Sequence, residues 1–289
     1  MNFDLLYKEL EKIYKNEILP LKKDYDKKSN YTILPIIAFI LIVIYRYKAM
    51  DLPSSEVDFY YYLPSIIIFI ITVVIAYFTF TKAQKKYYIA YNNKIIKRIM
   101  LTIWNDVNIY TYKGLRRNKY GKKLYSDKVT FYKSNNLVVI NNNLVFSQIK
   151  AEYGSNDNYV ITFDGIAGYK QLNKNTETII RVIDRDTFEK KSPIENETLK
   201  ILYKIKTKNE QICYKLLTPA VQEKLADFSL RYHYEFAISN NTLYYRVHKV
   251  KLLNDYETFS YNDLKECYNV LLFIYSLTSF IEKQVDSLL

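Results

Sequence analysis

The chain has 289 residues, of which 49% are hydrophobic and 25% are charged, so it contains enough apolar side chains to build a core. Wholly disordered, collagen-like and low-complexity classes are therefore excluded. Lys and Arg number 42 against 30 Asp and Glu, and the resulting formal net charge of +12 indicates a polyanionic partner.

The first thirty residues combine many charges with apolar side chains at helical spacing. Phe3, Leu6, Leu10 and Ile13 recur every three or four residues, which predicts a short amphipathic helix. Pro20 is expected to end this pattern. We assign residues 1–30 to a cytoplasmic amphipathic helix.

Two apolar runs follow, residues 31–47 and 63–81, and Arg46 is the only charge in either. At 1.5 Å per residue they extend roughly 25 and 28 Å, close to the ~30 Å thickness of a bilayer core. Both are apolar on every face, whereas a helix of a soluble protein keeps a polar stripe. We therefore predict a transmembrane helical hairpin over residues 31–81.

The distribution of Lys and Arg around the two runs predicts the orientation. Six lysines between residues 12 and 28 precede the first run, and six basic residues between 82 and 98 follow the second. The connecting segment has only Arg46 and Lys48 against three acidic residues. By the positive-inside rule both termini are cytoplasmic, and the protein is expected to be a multi-pass protein of the cytoplasmic (inner) membrane.

The excess positive charge lies in one part of the chain. Residues 82–133 carry 14 basic and two acidic side chains, whereas residues 134–289 carry 19 of each. A basic segment next to a membrane faces anionic lipid head groups, so we expect lipid contact and no nucleic-acid partner. The candidate lipid-contact residues are Lys82, Lys85, Lys86, Lys94, Lys97, Arg98, Arg116 and Arg117.

Residues 82–108 show apolar side chains at helical spacing and are predicted to form a basic juxtamembrane amphipathic helix. Residues 109–289 then change to short runs rich in Val, Ile, Tyr and Phe, which predict strands. The predicted strands are residues 129–133, 137–140, 144–151, 159–172, 178–184, 199–206, 211–217, 234–239 and 242–250. Asn141–Asn143 and Asn240–Asn241 suit hairpin turns, because Asn tolerates positive φ.

Two helices complete this part of the chain. Thr218 and Pro219 predict the start of one helix, and Ser260 predicts the start of a long C-terminal helix. The predicted fold class is thus a membrane-anchored α+β protein, with a mainly antiparallel sheet in a cytoplasmic domain.

No pattern typical of a catalytic, metal or cofactor site occurs. Cys213 and Cys267 lack partners at ligand spacing, and the only histidines, His233 and His248, flank a predicted strand pair. The five glycines form no phosphate loop. We therefore predict no catalytic residue, no metal and no cofactor, and we expect a non-enzymatic protein.

Three local patterns accompany this order of elements. They are the Tyr91–Ile96 helix, the Leu144–Glu152 strand followed by Phe163–Ala167, and the segment Glu210–Pro219. With them the chain resembles bacterial two-span membrane proteins that are catalogued only as a domain of unknown function and are often encoded near LemA-type membrane proteins. The resemblance covers nearly the whole chain and implies architecture and location, but no catalytic residues.

The expected function is that of an integral membrane protein that presents a cytoplasmic α+β binding or scaffold domain near anionic lipids. A protein partner or a second copy of the chain is left open. One alternative is a membrane-tethered hydrolase that uses Asp164, Asp184 and Asp186. Another is a subunit of an oligomeric transport complex, for which Ser65 and Thr72 offer little polar lining.

Overall fold

The structure is a computed structural model of the chain, and it describes residues 3–49, 63–116, 129–155, 158–176, 179–184, 194–207, 209–252 and 259–288. The chain divides into two compact units, Asn2–Ile95 and Ile96–Leu289. We call the first the helical unit and the second the sheet domain.

The helical unit consists of long helical segments joined by short turns of other helical types. Its elements are α1 (Phe3–Ile13), a π-helical turn (Tyr14–Ile18), α2 (Leu19–Asn30), a 3₁₀ turn (Tyr31–Ile33), α3 (Leu34–Ala49) and α4 (Leu63–Tyr91). A second π-helical turn follows α4 at Asn92–Ile96. The helix predicted after the second apolar run is therefore continuous with that run up to Tyr91.

Pro20 does not end the N-terminal helix, in contrast to the sequence-based expectation. A proline inside a helix lacks an N–H donor, and its ring clashes with the carbonyl four residues earlier. Here the π-helical turn Tyr14–Ile18 immediately precedes α2, and Pro20 occupies the first turn of α2, where a missing donor costs little. The chain therefore continues as a helix through the proline.

Aromatic contacts fix the pairing of these helices. Tyr25 of α2 stacks on Tyr87 of α4 with ring centroids 5.9 Å apart, and it also lies 5.4 Å from Phe80. Phe39 of α3 packs against Phe69 of α4 at 5.9 Å. Thus α2 packs along the C-terminal part of α4, and α3 packs along its N-terminal part. Ile18, at the end of the π-helical turn before α2, is buried.

Within its described residues, the sheet domain has eight strands and a long C-terminal helix. The strands are β1 (Val107–Tyr110), β2 (Phe131–Ile140), β3 (Leu144–Ser155), β4 (Asn158–Gln171), β5 (Ile179–Asp184), β6 (Tyr203–Thr207), β7 (Tyr234–Ser239) and β8 (Thr242–His248). The helices are α5 (Lys97–Met100), α6 (Glu197–Leu202), α7 (Glu210–Leu216), α8 (Pro219–Ser229) and α9 (Tyr261–Leu288).

All neighbouring strands are antiparallel, in the order β1-β2-β3-β4-β8-β7-β5-β6. The predicted α+β class with an antiparallel sheet is confirmed, as is the long helix that begins after Ser260. Asn141, Asn142 and Asn240 have positive φ of 47°, 55° and 56°, so the two predicted Asn turns are also confirmed.

The two faces of the sheet bury different side chains. Helix α9 covers one face, where Phe273 lies 5.9 Å from Tyr234 and Lys170 reaches Glu282. The opposite face holds an apolar cluster that includes Ile149, Phe163 and Ala237. Leu115 joins this cluster, and its carbonyl accepts a hydrogen bond from the Tyr132 hydroxyl at 3.0 Å.

Two strand predictions were wrong. Residues 211–216 of the predicted strand 211–217 lie in helix α7, and Leu217 caps its end, because the side chain of Asn209 accepts a hydrogen bond from the Ile212 amide and starts a helical turn. Residues 199–206 divide between α6, which Asn196 caps in the same way, and β6. Strand β1 was not predicted, and the two runs 129–133 and 137–140 are joined in one bulged strand, β2.

Candidate functional site

Four of the predicted lipid-contact residues line one groove of the helical unit. Lys85 and Lys86 come three and four residues after Lys82 on α4, so both are neighbours of Lys82 on the helix surface, and Lys94 lies two turns after Lys86. The groove has a volume of about 560 Å³, and Leu21 and Ile89 contribute apolar surface to its lining. All four lysines are exposed at its rim.

The groove thus combines apolar lining residues with exposed lysines. Lys94 forms an ion pair with Glu17, and both side chains are about half exposed, so solvent screens this pair. Lysine side chains of this kind lay their methylene stems on apolar surface and keep the ammonium group at a polar boundary. The groove can therefore contact a molecule that has an anionic head and an apolar body.

The remaining predicted lipid-contact residues are not part of this groove. Lys97 and Arg98 lie in α5 of the sheet domain, where Arg98 is exposed and Lys97 partly so. Arg116 is exposed in the segment after β1, and Arg117 lies outside the described residues.

Helices α3 and α4 expose many apolar side chains. On α4, Ile68 is 61% exposed and Phe78 65%, and on α3 Leu41 is 60% exposed. The hydroxyls of Thr72, Thr79 and Thr81 donate to carbonyls within α4, at 2.8 Å each. This surface therefore presents apolar groups and hydroxyls that are already hydrogen-bonded, as lipid contact requires.

Within the described residues, one helix is long and apolar enough to cross a membrane, from Ile66 to Met100. Only 11% of its most apolar stretch is buried inside the protein. Helix α3 adds 16 described residues of similar character.

A second group of polar residues lies in the sheet domain, where the sequence predicted no site. His233, Glu235 and His248 place one donor atom each within 4.8 Å of one another. The two imidazole rings are 4.6 Å apart, and His248 Nε2 lies 3.7 Å from Glu235 Oε2. Glu235 is fully buried, and His248 keeps 16% of its side chain exposed.

Other side chains surround this group closely. The Arg246 guanidinium forms an ion pair with Glu235 and lies over the Phe163 ring at 5.6 Å. Phe163 also meets His248 edge-on at 5.0 Å, and Tyr203 stacks on His233 at 5.7 Å. Aromatic rings therefore pack against both imidazoles beside a buried carboxylate.

The hairpin register brings this group together, and the sequence contained the signal for it. Ser239 pairs with Thr242 around the Asn240–Asn241 turn, so counting outwards brings Glu235 opposite Arg246 and His233 next to His248. The His248 amide donates to the His233 carbonyl at 2.9 Å, which completes the register. The two histidines form no sequential metal motif, because they lie at the ends of two paired strands.

Of the three carboxylates of the alternative hydrolase, the structure describes the side chain of Asp164, which is not part of the histidine group. Asp164 lies on β4, where its carbonyl accepts a hydrogen bond from the Lys249 amide at 2.7 Å. The side chain of Asp184 and all of Asp186 lie outside the described residues. That alternative stays a prediction.

Both cysteines are buried thiols, as the sequence indicated. Burial raises the pKa of Cys213 to about 11, with a smaller contribution from Glu210. Burial also raises the pKa of Cys267 to about 12, with a smaller contribution from Glu266. Neither thiol has the lowered pKa of a nucleophile or ligand cysteine.

Comparison with known proteins finds no match: no family model, no curated protein and no solved structure is similar to this chain.

Proposed function

We propose that this protein is a multi-pass protein of the bacterial cytoplasmic membrane that holds a cytoplasmic α+β binding or scaffold domain near anionic lipids. In this proposal α3 and α4 both span the bilayer, both termini are cytoplasmic, and the lysine-rimmed groove binds lipid phosphates. The proposal also places the chain with the two-span family that its sequence resembles.

One observation carries this proposal. The exposed apolar surface of α4 gives way within one turn to three exposed lysines, so that Phe78 and Lys82 lie only four residues apart on a continuous helix. Such a boundary is typical of a helix that leaves the hydrocarbon core at a leaflet with anionic head groups. Leu21 and Ile89, which line the same groove, give an acyl chain apolar contact beside the lysines.

The lipid part is tested with the full chain in nanodiscs that contain phosphatidylcholine and phosphatidylglycerol. Each lysine near the surface contributes about 1 kcal/mol, so the triple variant Lys82→Gln, Lys85→Gln and Lys86→Gln is expected to weaken the preference for phosphatidylglycerol on the order of 100-fold. Native mass spectrometry of the lipids retained on the protein measures this preference.

A matched control removes the same number of charges elsewhere. Lys200, Lys215 and Lys224 are exposed on the sheet domain and do not line the groove. Their replacement by Gln is expected to leave the lipid preference unchanged. Equal losses in both triple variants would show a general charge effect and would contradict a specific groove.

The two-span topology needs its own test. In a background with Cys213→Ser and Cys267→Ser, a single cysteine is introduced by Ser55→Cys or by Lys200→Cys. An impermeant maleimide applied to intact cells is expected to label position 55 and to leave position 200 unlabelled. Labelling of both positions, or of neither, contradicts the proposed hairpin.

A further inference from the structure

The chain has only two histidines, and both lie in one group with a buried carboxylate. Beyond the proposed lipid contact, we infer that His233, Glu235 and His248 form a binding site for a divalent transition-metal ion of the zinc class. Imidazole and carboxylate are the donors that such ions take from proteins, and calcium and magnesium prefer an all-oxygen shell.

The donor distances are close to those of an occupied site. Zinc bonds to nitrogen and oxygen measure about 2.0–2.2 Å, which places two tetrahedral ligand atoms about 3.3–3.5 Å apart. His248 Nε2 and Glu235 Oε2 are 3.7 Å apart, and no pair of donors exceeds 4.8 Å. Small side-chain rotations are enough to bring all three donors to one ion.

The backbone supports this arrangement. His233 directly precedes β7, Glu235 lies two residues later on the same face, and His248 ends the paired strand β8. Gly165 of β4 pairs with His248 on the other side of β8. Sites on paired strands hold their ligands with more precision than sites on loops.

Arg246 is compatible with an ion at this position. Its guanidinium is bonded to Glu235 Oε2, the same oxygen that lies 3.7 Å from His248 Nε2. A carboxylate oxygen has more than one lone pair, so it can accept a hydrogen bond and bind a metal ion together. Hydrogen bonding of a ligand carboxylate by a neighbouring group is common around metal ions. Because Arg246 already balances the charge of Glu235, charge compensation alone does not account for two imidazoles at the same carboxylate.

Three protein ligands leave one tetrahedral position for water or a small anion, which is the ligand number of catalytic rather than structural zinc sites. The side chains of Arg246 and His248 are 13% and 16% exposed, whereas His248 Nε2 and Glu235 are buried, so the site lies just beneath the surface of the domain.

The test titrates metal-free full-length protein in detergent with Zn²⁺ by calorimetry and with Co²⁺ by visible absorption. The protein must have no histidine tag, because the two native histidines are the ligands in question. We expect saturation at one ion per chain and, with Co²⁺, the ligand-field bands of a site with nitrogen and oxygen donors. Mg²⁺ at the same concentration is expected not to compete.

The variants His233→Asn and His248→Asn are each expected to weaken Zn²⁺ binding at least about 100-fold. The double variant Cys213→Ser and Cys267→Ser is the matched control, since it removes the only thiols, and it is expected to bind as the wild type does. Wild-type protein that takes up no stoichiometric Zn²⁺, or histidine variants that bind normally, would overturn the proposal.

A measurement without mutation keeps the test decisive if a histidine variant does not fold. Diethyl pyrocarbonate modifies free imidazoles, and mass spectrometry locates the products. Zn²⁺ is expected to protect both His233 and His248 in the wild-type protein, whereas Mg²⁺ is not. Equal modification with and without Zn²⁺ would refute the site.

Discussion

The ammonium group of Lys170 lies 2.7 Å from the carboxylate of Glu282 and ties β4 to the C-terminal helix α9. Both side chains are mostly buried, at 11% and 21% exposure, so water screens this ion pair less than a surface pair. It lies on the sheet face that α9 covers. Its loss should therefore affect the attachment of the helix.

Glu282→Ala is expected to lower the free energy of unfolding by about 1–3 kcal/mol, because it leaves the Lys170 charge mostly buried without this carboxylate. The double variant Lys170→Met and Glu282→Leu should recover most of the loss. Denaturant unfolding of the three proteins measures both values. A double variant no more stable than Glu282→Ala would show that the cost does not arise from a stranded charge.

Gly165 allows a close approach between β4 and β8. A Cβ atom at this position would lie 2.1 Å from the Val247 carbonyl oxygen, which is backbone and cannot rotate away. Gly165→Ala is expected to destabilise the domain by about 2–3 kcal/mol, since the strand must shift. Thermal unfolding tests this value.

Val160→Ala serves as the control for that substitution. Val160 lies on the same strand but is 64% exposed, so its truncation is expected to change stability by less than about 0.5 kcal/mol. Similar effects of the two substitutions would mean that β4 tolerates a methyl group at position 165.

Asn209 starts helix α7 through its side chain, which accepts a hydrogen bond from the Ile212 amide at 3.2 Å. Asn209→Ala is expected to cost about 1 kcal/mol, and Asn209→Asp should keep the cap because aspartate accepts the same bond. Chemical denaturation of the two variants compares them. Equal losses would assign the effect to another role of Asn209.

The cysteines are expected to be unreactive in the folded protein. Burial raises the pKa of Cys213 from 9.0 to about 11, so its thiolate fraction at pH 8 is about 100-fold below that of an unshifted thiol. Iodoacetamide should therefore label neither cysteine natively and both in denaturant. Rapid native labelling of either would contradict its burial.

The raised pKa of Cys267 makes the free energy of unfolding depend on pH in the alkaline range. The folded pKa of Cys267 is raised from 9.0 to about 12, so the folded state holds its proton in a range where the unfolded thiol loses it. Its contribution to stability is complete below pH 9 and is lost as the pH rises towards 12. Cys267→Ala is therefore expected to flatten the fall in unfolding free energy over this range, and parallel curves would contradict the assignment.

The sequence predicts the sheet domain well where turn residues and the alternation of apolar and polar side chains indicate the same hairpin. Asn141–Asn142 and Asn240 take the positive φ that their side chains tolerate, so the hairpins on either side were placed correctly. It failed at residues 211–217, where the apolar pattern suited a strand but the cap at Asn209 starts a helix. Local hydrogen bonding overrode side-chain preference there.

The candidate sites likewise contain features that the sequence predicts and features that it does not. The lysines after the second apolar run can be identified from the sequence alone, because they follow an apolar run directly along the chain. The groove itself depends on Leu21, which comes from another helix, and no spacing rule links it to Lys86. The histidine group depends on strand register, which could be counted from the turn but does not form a sequential motif.

The presence of both histidines at one place gives the protein a built-in spectroscopic label. A proton NMR spectrum of this chain can contain only two imidazole C2–H resonances, and both come from the open end of the β7–β8 hairpin. Their chemical shifts report the state of that end of the sheet without isotope enrichment or an added probe. Ligands, partners or lipids that act on the sheet domain can thus be followed at a position whose assignment requires a single substitution.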